Sequence, residues 1–271
     1  MPLPLAWKPE RGSAHAYKRV REQARIQVEG RVSGQVLYEL LLPVVPGFGL
    51  SMLPAPSAGD VFFDLEGDPF AGDGGLEYLF GYAFFSADSA LTYFGDWVFS
   101  RADEKRAFER FIDFITERLK QFPDLHIYHF APYEPSALKR LMGRHATREE
   151  ALDRLLRSKL FVDLYSVVRH GLRASVESYS IKRLEALYGF SRHISLPDAN
   201  SSLAKVQACL ELEDLDFIGA EDRAVVEGYN RDDCLSTAAL RDWLEEQRAQ
   251  LIRRGVEIAR PASREARQAR P

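Results

Sequence analysis

Two carboxylates stand two residues apart in Val61–Pro69, which reads VFFDLEGDP. In a strand, successive side chains alternate. Phe62, Asp64 and Glu66 then share one side, and Val61, Phe63 and Leu65 share the other. Asp64 and Glu66 point the same way, roughly 7 Å apart along the strand, from a segment apolar enough to be buried. Like charges in such a place repel and are poorly solvated, so they need a raised pKa or a cation. Mg²⁺ is the economical cation, because it takes hard oxygen ligands and usually only one or two protein carboxylates. The competing reading of Asp-x-Glu in a strand is a solvated sheet edge. Gly67, Asp68 and Pro69 end the strand, with Asp68 shaping the turn.

A third carboxylate sits late in the chain. Glu221–Arg248 is predicted as a long helix, with Val225, Tyr229, Asp233, Leu240 and Leu244 near one stripe. Asp233 therefore lies on the core-facing side, one turn after Tyr229. A buried carboxylate there requires a partner.

The intervening chain supplies a frame. Glu77–Ser86 and Leu91–Phe99 are aromatic-rich and β-prone, and with the first strand they predict an antiparallel meander. The Gly-rich Ala71–Gly75 lacks the Lys and spacing of a P-loop and reads as a turn. Arg101–Gln121 is a helix striped by Phe108, Phe111, Ile112, Ile115 and Leu119. Leu125–Phe130 is a short buried strand. Pro132 then opens a helix bearing Glu134, Leu138 and Leu141, at a position where a missing N–H costs least. A helix near Arg148–Arg157 follows. Leu160–Val168 is a strand or strand-to-helix junction containing Asp163, and Tyr179–Tyr188 is helical with Gly189 as its cap. Ser191–Ala220 reads as a polar loop running into an acidic patch. The order predicts a mixed α/β sheet flanked by helices. Before it, residues 1–58 form a helical and linker segment, with a basic helix over Ala14–Arg31 and a Pro- and Gly-imposed loop after Gln35–Val45. The main domain spans 59–250, and 251–271 is a basic tail.

The 271 residues suit one large domain with extensions, and 46% hydrophobic residues give it a sizeable core. A net charge of −4 excludes a polycation. The nine Lys or Arg against four acids in Lys139–Arg173, however, offer a local basic patch of the kind that meets nucleic acid. The two cysteines, Cys209 and Cys234, rule out a disulfide framework or Cys-rich zinc site and read as buried free thiols. His126 and His129 lack paired ligand spacing and read as strand and surface residues. With no apolar run of membrane length and no apolar leader, the expected location is the cytoplasm.

FFDLEGDPF, GGLEYLFGY, YHFAPYEPSALKRL and YNRDDCLST, in this order, resemble the YprB-like ribonuclease H-like domain of predicted RecB-family nucleases. That group is similar to the DEDD exonuclease superfamily, and Tyr229-x-x-x-Asp233 resembles its tyrosine subgroup. The resemblance covers roughly Gly59–Leu244. It implies a ribonuclease H-like mixed sheet, an antiparallel meander plus parallel strands flanked by helices. It also implies a metal-dependent 3′-to-5′ exonuclease using two Mg²⁺ or Mn²⁺ ions. Asp64 would bridge the ions, Glu66 would bind one and help position water, Asp233 would complete the first site, and Tyr229 would hold the water. Glu134 takes the remaining acidic role. Here the chain departs from the pattern, which has Asp preceded by Asn where this chain has Tyr133-Glu134. Asp163 and Asp232 are reserve candidates, with Asp232 expected to face solvent. Two metals about 4 Å apart serve both the attacking and leaving oxygens of a phosphodiester. Lys139, Arg140 and Arg144 are expected to guide the backbone of single-stranded or end-frayed DNA or RNA. In larger relatives, RecB/Cas4-like nuclease or helicase regions adjoin this domain. The alternative is a catalytically weak nucleic-acid-binding or interaction module of such a system. An aspartyl-phosphate phosphatase fits less well, because Glu66 stands where a second Asp is wanted.

Overall fold

The computed structural model describes residues 11–261. The chain runs α1 (Ala14–Ser33), β1 (Tyr38–Leu40), β2 (Val61–Asp68), β3 (Leu76–Phe85), β4 (Leu91–Trp97) and α2 (Arg101–Gln121). Next come β5 (Ile127–His129), α3 (Tyr133–His145), α4 (Glu149–Arg157), β6 (Phe161–Asp163), α5 (Leu164–Gly171) and β7 (Leu172–Ala174). It closes with α6 (Ile181–Tyr188), α7 (Leu196–Glu211) and α8 (Ala220–Arg253).

The main sheet has five strands in the order β4-β3-β2-β5-β6. β2 pairs antiparallel with β3, and β3 with β4, as the meander reading expects. β5 joins β2 in parallel, and β6 joins β5 in parallel. β2 is therefore central, and the solvated-edge reading of Asp64 and Glu66 is excluded.

Alternation along β2 divides its side chains between two layers. Val61, Phe63 and Leu65 enter a core shared with Phe108, Phe111 and Ile112 of α2 and Leu138 and Leu141 of α3. Phe63 stacks on Phe111 at 4.0 Å between ring centroids. α2 begins at Ser100, whose hydroxyl accepts from Asp103 N, and carries acids in its first turn and bases in its last, matching the helix dipole. On the other face Phe62 packs with Tyr128, Leu164, Leu240 and Leu244. α8 lies along that face, and its Arg241 guanidinium sits 5.0 Å over the Phe62 ring while ion-pairing with the fully buried Asp60. Burial pushes the Asp60 carboxyl up to about 6.

Two stretches differ from the sequence expectations. Ser191–Ala220 contains a 16-residue helix, α7, capped by Ser195 and led by Pro197 in its first turn. The segment before the main domain carries β1, which pairs antiparallel with β7, and Gln23 and Gln27 of α1 donate to the carbonyls of Ala174 and Val176. On the C-terminal side, Arg260 ion-pairs with Glu245 and donates to Pro54 O. Of the predicted extensions, residues 1–10 and 262–271 lie outside the described residues. Among the described residues no helix is long and apolar enough to cross a membrane.

Candidate metal centre

The β2 side that carries Phe62 continues with Asp64 and Glu66, both half-buried, facing α8. α8 brings the buried Asp233 to them. Asp64, Glu66 and Asp233 each offer a carboxylate oxygen, and these atoms all lie within 4.8 Å of one another.

The approach of α8 to the sheet depends on a missing side chain. Asp64 pairs in register with Gly81 on β3. A Cβ at Gly81 would stand 1.5 Å from Asn230 Oδ1, so only glycine lets Asn230 in. Asn230 is fully buried, and its amide donates to Asp64 Oδ2 at 2.8 Å. Its carbonyl accepts from the Tyr93 hydroxyl at 2.8 Å. Asn230 therefore ties α8 to β2 and β4 and fixes one oxygen of Asp64.

Asp233 is held from the other side. Lys182 of α6 donates to its Oδ2 at 2.8 Å, and Arg192 Nη2 donates to its Oδ1 at 2.5 Å. Arg192 is itself held by Glu185, through Nε at 3.0 Å and Nη2 at 2.6 Å. The Tyr229 ring lies under both cations, 4.9 Å from Lys182 Nζ and 5.5 Å from Arg192 Cζ.

The electrostatics follow from crowding. Burial, reinforced by repulsion from Asp233, Glu66 and Glu134, raises the Asp64 carboxyl well above the usual carboxylate range, with Lys182 opposing. Burial and the Asp233 charge push Glu66 up to about 8 against Lys182 and Asn230. Burial and Asp233 likewise push the Tyr229 hydroxyl up to about 12. A divalent cation among the three carboxylates relieves this repulsion, and the all-oxygen donor set suits a hard ion such as Mg²⁺ or Mn²⁺.

The other expected site residues take other places. Glu134 is buried in the first turn of α3 and stands outside the three-carboxylate group. Its Oε2 lies 3.4 Å from His129 Nδ1 and has no hydrogen-bond partner among the described residues. His129 Nδ1 is 2.6 Å from Ala131 O, which as a carbonyl requires a proton on that nitrogen. Burial raises the Glu134 carboxyl, and His129 opposes the rise. Arg140 ion-pairs with the buried Glu77, which also accepts from the Tyr133 hydroxyl. Arg144 is held by Glu104 and by Gly75 O at 3.1 Å. Lys139 is exposed.

Two expectations are corrected. Asp232 does not face solvent: it is fully buried and accepts from His193 N, Ile194 N and His193 Nδ1, because the segment before α7 wraps that side of α8. The reserve candidate Asp163 caps α5, accepting from Tyr165 N and Ala131 N. His126 is buried and not at the surface, whereas His129 lies in the strand β5, where it is buried. Asp68 does shape its turn, accepting from Phe70 N at 2.8 Å. Cys209 and Cys234 are buried free thiols.

A family model of the RNase H superfamily, RNase_H_2, matches residues 61–245. The chain belongs to the RNase H superfamily. No curated protein and no solved structure matches it. Membership agrees with the mixed sheet and points to a hydrolase acting on nucleic acid. RNase H-like nucleases use divalent metals, and the Asp64–Glu66–Asp233 group is an acidic triad of the kind that holds one.

Sequence reasoning missed Asn230, Lys182, Arg192 and Gly81. Asn230 had a signal: it precedes Asp233 by three residues and so shares its helix side. Lys182 and Arg192 come from a separate part of the chain, and only tertiary packing brings them to Asp233.

Proposed function

We propose that this RNase H superfamily domain is a metal-dependent nuclease of the tyrosine DEDD type, YprB-like in its motifs, that shortens DNA or RNA from the 3′ end. The observation that carries the reading is the convergence of Asp64, Glu66 and Asp233 within 4.8 Å, one turn of helix from Tyr229. Asp64, Glu66 and Asp233 would hold Mg²⁺ or Mn²⁺, which supplies a Lewis acid for the phosphate and a more acidic water. Asp64 is kept in orientation by Asn230, and Asp233 by Lys182 and Arg192. Glu66 positions the attacking water, and the Tyr229 hydroxyl, kept protonated, hydrogen-bonds to it. Glu134 is the remaining acid of the two-ion pattern, and it stands outside the three-carboxylate group. Lys139 guides the backbone of single-stranded or end-frayed substrate, and RecB/Cas4-like nuclease or helicase regions are the proposed cytoplasmic partners.

Polarity is tested with a 5′-labelled oligonucleotide whose 3′-terminal linkage is either a phosphodiester or a phosphorothioate. A ladder of shortening products that the phosphorothioate blocks supports 3′-to-5′ exonuclease action. Release of a labelled mononucleotide from the 5′ end contradicts it. One observation favours a second reading: Glu134 lies against His129, outside the carboxylate group. A nucleic-acid-binding module without turnover would bind the same oligonucleotide and leave it intact with either metal.

A further inference from the structure

The carboxylate group contains a cation of its own. Lys182 Nζ is 2.8 Å from Asp233 Oδ2 and 4.9 Å from the Tyr229 ring centroid, and its side chain is 28% exposed. Its position runs against local helix preference. Lys182 is the second residue of α6, where the helix dipole disfavours a positive charge and where no acid stands in the first turn. Attraction to Asp233 accounts for it.

Each oxygen of Asp233 already accepts one hydrogen bond from a cation. A carboxylate offers about four lone-pair positions. Lys182 occupies one on Oδ2, and Arg192 occupies one on Oδ1. The Arg192 charge is already matched by Glu185 through two hydrogen bonds. Among the described residues Lys182 ion-pairs with Asp233, and so it contributes its full charge to the group. The three carboxylates and the Lys182 ammonium together carry a net charge of −2, while Glu134 stands apart from them against His129. One divalent ion neutralises that charge. A second would leave +2 before any phosphate arrives, beside an ammonium that repels it.

We propose that the Lys182 ammonium stands in for a second metal ion, so that the site holds one divalent cation tightly and Lys182 supplies the other fixed positive charge. The proposal deepens the metal-nuclease reading and rests on it. Lys182 is a positioning residue for Asp233 and a charge partner of the ion.

The test counts ions without measuring cleavage. Mn²⁺ is titrated into the metal-free full chain by calorimetry, and free Mn²⁺ is followed by electron paramagnetic resonance. The wild type is expected to take one tight ion. Lys182→Met removes the charge and is expected to gain a second ion, its affinity at that position rising roughly tenfold or more. Lys182→Gln, which keeps a hydrogen bond to Asp233 but no charge, is expected to do the same and guards against a packing defect. Lys182→Arg is expected to remain at one. Two ions of similar affinity in the wild type overturn the proposal, as does a count of one in every folded neutral variant. No tight ion in the wild type, with Asp64→Asn indistinguishable from it, overturns the metal-nuclease reading itself.

Discussion

Replacing Glu66 by Gln is expected to stabilise the metal-free protein at pH 8, although Glu66 belongs to the candidate site. Burial and the neighbouring Asp233 push the Glu66 carboxyl from 4.5 up to about 8. A carboxyl with a higher pKa when folded binds its proton more tightly in the folded state. The folded protein therefore carries more protons than the unfolded chain between 4.5 and about 8, and stability falls as pH rises through that window. At about 1.4 kcal/mol per pH unit, the displacement corresponds to roughly 5 kcal/mol as an upper bound. Partial exposure of Glu66 to solvent reduces this to roughly 2–3 kcal/mol. Gln at position 66 has no charge to lose, and Asp64 beside it is relieved of one repulsion, which acts in the same direction. The assay is urea unfolding of metal-free wild type and Glu66→Gln at pH 5 and pH 8. The variant is expected to match or trail the wild type at pH 5 and to exceed it at pH 8. Saturating Mg²⁺ is expected to close the gap by stabilising the wild type alone. A variant less stable than wild type at pH 8, or a difference that does not change between the two pH values, refutes the electrostatic reasoning.

Three further substitutions test how the site is held. Asn230→Ala removes a buried hydrogen bond to Asp64 and strands the Tyr93 hydroxyl, so a loss of about 1–3 kcal/mol is expected in chemical unfolding. Gly81→Ala drives a methyl group into Asn230, and a loss of about 1–3 kcal/mol with weakened Mn²⁺ binding is expected by melting and calorimetry. Arg241→Leu leaves Asp60 buried without its ion-pair partner, with an expected cost of about 3–5 kcal/mol at neutral pH that shrinks as pH falls towards about 6, because without the guanidinium Asp60 takes up its proton at a higher pH than in the wild type.

The parts of the fold legible in the sequence are those where one periodicity dominates. β2 alternates apolar and acidic residues from Phe63 to Glu66, α2 carries an apolar stripe, and the Tyr229–Asp233 spacing places both residues on one side of α8. α7 escaped because Asn200, Ser201 and Ser202 occupy its interior, and such residues compete with the helix backbone for hydrogen bonds. Its start was legible all the same, since Ser195 followed by Pro197 and Asp198 is a helix-opening pattern. Asp232 and Asp233 show the limit of helix-face reasoning. One stripe facing the sheet predicts that its neighbour faces solvent, but α8 is covered on a second side by the His193–Ile194 segment, so both carboxylates are buried with different partners. The basic residues near Arg140 read as a free patch because charge alone is visible in a sequence. Their pairing with Glu77 and Glu104 depends on a strand and a helix that fold against α3 from elsewhere in the chain.

The claim that Asp64, Glu66 and Asp233 hold a metal that cleaves nucleic acid is tested most directly with end-labelled single-stranded DNA and RNA. Wild type and Asp64→Asn are compared with Mg²⁺, with Mn²⁺ and with EDTA. Shortening that requires metal and disappears in the folded variant is the predicted result. Cleavage that persists in EDTA, or that Asp64→Asn performs as well as wild type, contradicts it.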